Sequence, residues 1–189
     1  MTLSFYEDPK NVEHYTAFTP AHDGAELVDA LRAALPAGST LLELGMGPGK
    51  DLQLLSETYT VTGSDFSQAF LERFRGIEPD ADLLQLDART LETDRHFDAI
   101  YTNKALIHLD DDELAQSFAR QHAVLKPGGL MLHSFWYGDK TEQHGQLTLV
   151  RRNEESLQRL LASGWEILAL ERHAKMSDGD SIYVIAKAV

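Results

Sequence analysis

The chain reads as one α/β domain: a doubly wound, mostly parallel sheet of seven strands whose last strand is antiparallel. Three observations lead there. A short apolar run (Leu41, Leu42, Leu44) stops at Gly45, passes through Gly47 and Gly49, and resumes as a helical pattern at Leu52, Leu54 and Leu55. That is a buried strand, a glycine turn and a helix start, the entry to a βαβ unit. Short apolar and β-branched runs then alternate with helical patterns to the end of the chain, the rhythm of a wound sheet. Finally, WEILALE and SIYVIAKA are separated by a gap that suits an antiparallel pair and is too short for a parallel crossover.

Composition narrows the function classes. A chain of 189 residues holds one domain with a full core and little decoration. It contains no cysteine, which excludes disulfides and thiolate metal sites and makes a reducing cytoplasm the expectation. No apolar run approaches a membrane span, and the opening MTLSFYEDPK lacks a signal-peptide layout; no membrane partner is expected. A formal net charge of −13 argues against nucleic acid, whose phosphates need a basic face, and less strongly for a cationic or neutral small molecule. Oligomeric state is not readable.

Residues 1–24 carry Phe5, Tyr6, His14, Tyr15 and Phe18 without a firm period, so they are set apart as an arm or a lid before a domain at 25–189. Asp23 is expected to cap the first domain helix with Glu26 in capping-box position, Leu27, Leu31 and Leu35 form its buried stripe, and Pro36 with Gly38 ends it. The glycine turn follows. Its glycines permit a strained φ or a ligand's approach to bare backbone, and Pro48 suits a first helical turn. A dinucleotide loop wants G-x-G-x-x-G, but position 50 is Lys50. The pattern present, from Glu43, is E-x-G-x-G-x-G.

That pattern resembles motif I of the class I S-adenosylmethionine-dependent methyltransferases. Two further strings strengthen the likeness. F-D-x-I-x-x-x-x-x-L-x-H-L, from Phe97 to Leu109, is similar to motif IV of the small-molecule members, and Leu125-Lys126-Pro127-Gly128-Gly129 is a common junction in the family. The N-P-P-Y and D-P-P-Y forms of base and amide methylation are absent. The resemblance covers residues 25–189 and implies a Rossmann-like sheet and S-adenosylmethionine as cofactor. It also implies that a tyrosine of the N-terminal segment, Tyr6 or Tyr15, covers the site.

The second strand ends at Asp65, 20 residues beyond Gly45, the separation at which an acid reaches a ribose; Ser67 can then cap the next helix, and Phe66 sits beside adenine. The third strand leads to Asp87. The resemblance implies that this acid accepts from the adenine amino group and that the Ala88 N–H meets a ring nitrogen. The fourth strand ends at Asn103 and Lys104, where open sheets put their chemistry. Glu43, Gly45, Met46, Gly47, Gly49, Asp65, Phe66, Asp87, Ala88 and Asn103 form the expected cofactor set, with Glu43 at the amino-acid end. Lys50 and Asp51 are assigned to stabilising their helix.

Asp110, Asp111, Asp112 and Glu113 read as a solvated helix N-terminus rather than a metal site, since neighbours in a helix do not face one point. Residues 137–152 read as a polar connection, followed by a helix capped at Asn153.

The function expected is methyl transfer from S-adenosylmethionine to a small molecule, with oxygen or nitrogen ahead of carbon as nucleophile. His108 is the candidate base, because neutral imidazole suits pH 7; His133, inside a strand, is the weaker choice. Tyr6, Tyr15, Lys104 and an Arg151–Arg152 anion clamp are the candidate acceptor contacts. A non-catalytic S-adenosylmethionine-binding module and a nicotinamide oxidoreductase are the alternatives.

Overall fold

A computed structural model describes residues 3–18 and 24–189. A 3-10 turn (Leu3–Glu7) and helix α1 (Pro9–Phe18) precede α2 (Ala25–Ala34). The wound core follows as β1 (Thr40–Leu44), α3 (Lys50–Ser56), β2 (Thr60–Asp65), α4 (Gln68–Arg75), β3 (Leu83–Gln85) and β4 (Phe97–Asn103). After a 3-10 turn at Leu106–His108 come α5 (Asp111–Val124), β5 (Leu125–Trp136), β6 (Thr141–His144), β7 (Leu147–Val150), α6 (Glu154–Leu160), β8 (Trp165–His173) and β9 (Ser181–Ala188).

The main sheet has seven strands in the order β3-β2-β1-β4-β5-β9-β8. The pairs from β3 to β5 are parallel, and β9 lies antiparallel to both β5 and β8. The fold is therefore the one expected. Strand order reverses between β1 and β4, and open α/β sheets bind ligands at such a reversal, beyond the strands' carboxyl ends.

Period-two alternation feeds two cores. Leu42, Leu44 and Ile100 face α5 and α6 with Phe118 and Leu157, whereas Leu41, Ala99 and Tyr101 face α2 with Leu27 and Leu31. Truncating a fully buried leucine such as Leu31 to alanine costs about 2–5 kcal/mol. No helix among the described residues is long and apolar enough to cross a membrane.

Three local expectations change. Residues 137–152 contain the antiparallel hairpin β6–β7, turned at Gly145 with φ +61. Pro48 precedes α3, whose N-cap is Gly49, rather than sitting in its first turn. The cap expected at Asp23 lies outside the described residues; the α2 N-cap is Gly24, with no side-chain capping bond.

Candidate active site

Two cavities of ≈ 460 Å³ and ≈ 110 Å³ lie at the carboxyl ends of β1 and β4 and share Tyr6, Tyr15, Gly45, Gly47, Asn103 and His108 as walls. The glycine turn separates into three jobs. A Cβ on Gly45 would come within 2.4 Å of Ala105 Cβ, so this glycine lets the turn after β4 approach. Gly47, at φ +50, has open space where its Cβ would be. At Gly49, φ +83, a Cβ would fall 2.2 Å from the Phe74 ring. Gly49 lines neither cavity; it admits an aromatic ring from α4. Met46 lines the larger cavity but packs its side chain with Leu52, Leu71 and Phe74.

Carboxylates lie beneath the turn. Glu43 is buried, its Oε2 has no hydrogen-bond partner among the described residues, and burial with Asp51 and Asp65 nearby raises its carboxyl well above the usual range. Asp65 Oδ2 accepts the Gly47 N–H at 2.9 Å and Oδ1 accepts the Ser67 N–H at 2.8 Å. Burial outweighs these bonds and lifts Asp65 to about 6. Ser67, not Asp65, caps α4.

Phe66, Leu86, Asp87 and Ala88 line the smaller cavity. Burial works to raise Asp87, but Arg89, bonded to both of its oxygens, outweighs this and leaves it lowered. Arg89 also reaches Glu113 at 3.2 Å.

Asp51 lies in the first turn of α3, as expected, and does more there. Its carboxylate accepts from the Gly24 N–H at 2.7 Å, the Tyr101 hydroxyl at 2.7 Å and Asn103 Nδ2 at 2.9 Å. Asn103 Oδ1 in turn accepts from Ser134, so this side chain braces the cavity floor. Lys50 lines the larger cavity beside it.

Lys104 and His108 line both cavities. Lys104 Nζ donates to the Phe135 carbonyl and lies 4.5 Å from the Trp136 ring centroid. His108 Nδ1 meets the Thr148 carbonyl at 2.7 Å, and burial lowers this imidazole. His133 is fully buried between Thr102 and Gln121, away from both cavities.

The arginine clamp is not formed. Arg151 is bound to Glu142 and the Tyr137 carbonyl, while Arg152, almost wholly buried, is bound to Asp111 and the Leu109 carbonyl. Neither lines a cavity, because each offsets its charge within the fold. In the acidic run Asp110 forms a capping box with Glu113, and Asp111 serves Arg152 and Arg159.

The N-terminal segment lies against the site. Tyr6 and Tyr15 pack edge to face at 5.6 Å and both meet Phe70, and the Tyr6 carbonyl accepts from Ser67 Oγ. Phe18 has no described side chain. Sequence reasoning missed the outer walls of the larger cavity, Trp136, Leu147, Leu149, Lys175 and Met176. They come from three separate late segments and share no local pattern.

Residues 41–129 match the family model described as Methyltransferase domain. The chain is 27% identical over 145 residues to dTDP-3-amino-3,4,6-trideoxy-alpha-D-glucopyranose N,N-dimethyltransferase of Streptomyces venezuelae, covering 74% of this chain and 61% of that protein. It is 36% identical over 104 residues to trans-aconitate 2-methyltransferase of Variovorax paradoxus (strain S110), covering 53% and 39%. The chain thus spans less than two thirds of either relative. Among solved structures, the Burkholderia thailandensis 1,6-didemethyltoxoflavin-N1-methyltransferase with bound 1,6-didemethyltoxoflavin and S-adenosylhomocysteine superposes with TM-score 0.79 at 21% identity, over 94% of this chain and 83% of that one. At that identity the likeness speaks for the fold alone.

Proposed function

We infer that this chain, whose residues 41–129 match a methyltransferase-domain model and whose fold is shared with a methyltransferase, is a class I S-adenosylmethionine-dependent methyltransferase that moves a methyl group from S-adenosylmethionine to a small-molecule acceptor. The observation that carries the reading is the meeting of Gly47 and Asp65. The Gly47 N–H donates to Asp65 at 2.9 Å, while the space ahead of Gly47 is open. A bare backbone and a carboxylate thus face the same cavity. A carboxylate has about four acceptor positions; the N–H groups of Gly47 and Ser67 take two and that of Phe66 also bears on it, which leaves capacity for a ribose hydroxyl.

The neighbouring residues fit the rest of the cofactor. Glu43 offers an unpartnered buried oxygen to a cationic amino-acid end. Phe66, Leu86 and Ala88 give the smaller cavity the apolar walls an adenine needs, and Asp87 adds an acceptor held in place by Arg89. Bound S-adenosylmethionine supplies a methyl group on a positively charged sulfur, open to in-line attack.

The chain's own part is to position the acceptor, exclude water and manage one proton. Tyr6 and Tyr15, walls of both cavities, support a lid role for the N-terminal segment. His108 is the base. A carbonyl only accepts, so Nδ1 carries the proton toward Thr148 and Nε2 keeps its lone pair. Burial holds the ring neutral, ready to take a proton from an oxygen or nitrogen acceptor. The net charge of −13 supports a small acceptor over a nucleic acid.

Calorimetry with S-adenosylmethionine, S-adenosylhomocysteine and NAD tests this reading. The first two bind with one-to-one stoichiometry and NAD gives no heat; binding of NAD alone contradicts it.

A further inference from the structure

We propose that the acceptor carries a negatively charged group of the carboxylate kind, received by Lys104 with Lys175 beside the apolar walls Trp136, Leu147, Leu149 and Met176. This rests on the methyl-transfer reading of the same cleft and names the acceptor class within it.

Lys104 is held in a conformation a lysine rarely keeps. Its backbone lies at φ +60, a region that side-chain-bearing residues seldom occupy and that concentrates at functional sites. The turn after β4 thereby aims the side chain along the cavity wall. There Nζ donates to the Phe135 carbonyl at 2.5 Å and stacks on Trp136.

The ammonium is underused where it stands. It has three donors, the Phe135 carbonyl takes one, and no carboxylate among the described residues forms an ion pair with it. Asp180 favours its charge only through space, whereas Lys175 and Arg151 oppose it. Burial brings Lys104 down to about 7, the sign of a cation short of compensation. An entering anion would supply what the fold does not.

The cleft carries charges of both signs. Glu43, Asp51 and Asp65 lie about the glycine turn with Lys50, and Lys104 and Lys175 add two further cations to the wall of the larger cavity. Trp136, Leu147, Leu149 and Met176 line the same cavity as the two lysines, with Trp136 against Lys104, so an anionic group with an apolar body fits both features. A lysine is a point charge without the planar fork of arginine, so charge is what it selects.

The test compares carboxylates with their primary amides, for example 3-phenylpropanoate with 3-phenylpropanamide, by ligand-observed NMR on protein saturated with S-adenosylhomocysteine. The wild type should favour the carboxylates by about tenfold, the worth of one charge-assisted hydrogen bond. Lys104→Met keeps the stem over Trp136 and should erase that preference, and Lys104→Arg should restore part of it. S-Adenosylhomocysteine affinity should stay unchanged in both variants. Carboxylates that bind no better than amides in the wild type, or that do not bind, overturn the proposal without any mutant. A Lys104→Met variant whose loss falls on S-adenosylhomocysteine overturns it too, because Lys104 then serves the cofactor's own carboxylate. If wild-type protein fails to bind S-adenosylhomocysteine at all, the methyl-transfer reading fails instead.

Discussion

His108 Nδ1 lies 2.7 Å from the Thr148 carbonyl, a residue 40 positions away on β7. This bond ties the turn after β4 to the β6–β7 hairpin and leaves Nε2 as the ring's acceptor. The hairpin also supplies Leu147 and Leu149 to the cavity wall. One element therefore shapes the larger cavity and fixes the tautomer of a residue that lines it.

His108→Gln tests that arrangement through the pH profile of kcat. A base works deprotonated, and burial lowers this imidazole from 6.5, so wild-type kcat should rise with pH along a limb centred below that value. The variant should lose the limb and about 10²–10⁴ in kcat. Retention of both makes His108 a structural residue.

Asp65→Ala should weaken S-adenosylmethionine binding by about 1.5–3 kcal/mol, roughly ten- to a hundred-fold in Kd. In the wild type, ribose hydroxyls need the ionised carboxylate. With Asp65 at about 6 in the free protein, affinity should increase as pH rises through that value. A folded variant of unchanged affinity removes the ribose assignment.

The last two glycines of the turn should respond differently to alanine. At Gly49 the left-handed φ and the Phe74 ring both resist a Cβ, so Gly49→Ala should cost roughly 2–4 kcal/mol of stability. At Gly47 only the φ resists and the Cβ enters open space. Gly47→Ala should cost about 1–2 kcal/mol while weakening cofactor binding about tenfold or more. Denaturant titration beside calorimetry separates the pair; identical responses contradict the division of labour.

Much of this was readable in sequence because it is local. The strand ends at Leu44, Asp65 and Asn103 and the turn glycines follow from short-range pattern. The β6–β7 hairpin escaped because Glu142, Gln143 and His144 give β6 no apolar face. Asp51 escaped because its partners Tyr101 and Asn103 lie 50 and 52 positions away. One signal was available: a tyrosine within a buried strand needs a partner for its hydroxyl. The paired arginines drew attention as a clamp, but nothing adjacent to them foretold Asp111 beneath Arg152.

His133 makes a prediction about stability. Its Nε2 lies 2.6 Å from Gln121 Oε1 and its Nδ1 3.0 Å from Thr102 Oγ1. Gln121 continues through Ser117 to the Ala88 carbonyl at the smaller cavity. Burial lowers this imidazole to about 3, against about 6.5 in the unfolded chain. The unfolded state therefore binds a proton first, so the contribution is full above about pH 6.5 and is lost progressively as pH falls toward about 3. Thermal unfolding at a series of pH values should show this decline, with a shallower slope in His133→Gln. Equal slopes contradict it.

Methyl transfer is tested by following the methyl group itself. The protein is incubated with isotopically methyl-labelled S-adenosylmethionine and a panel of small metabolites that includes carboxylates, and products are read by mass spectrometry. The account predicts a labelled small molecule together with S-adenosylhomocysteine, both lost with His108→Gln. Binding of S-adenosylmethionine with no labelled product from any acceptor would contradict it and leave a cofactor-binding module of the same fold.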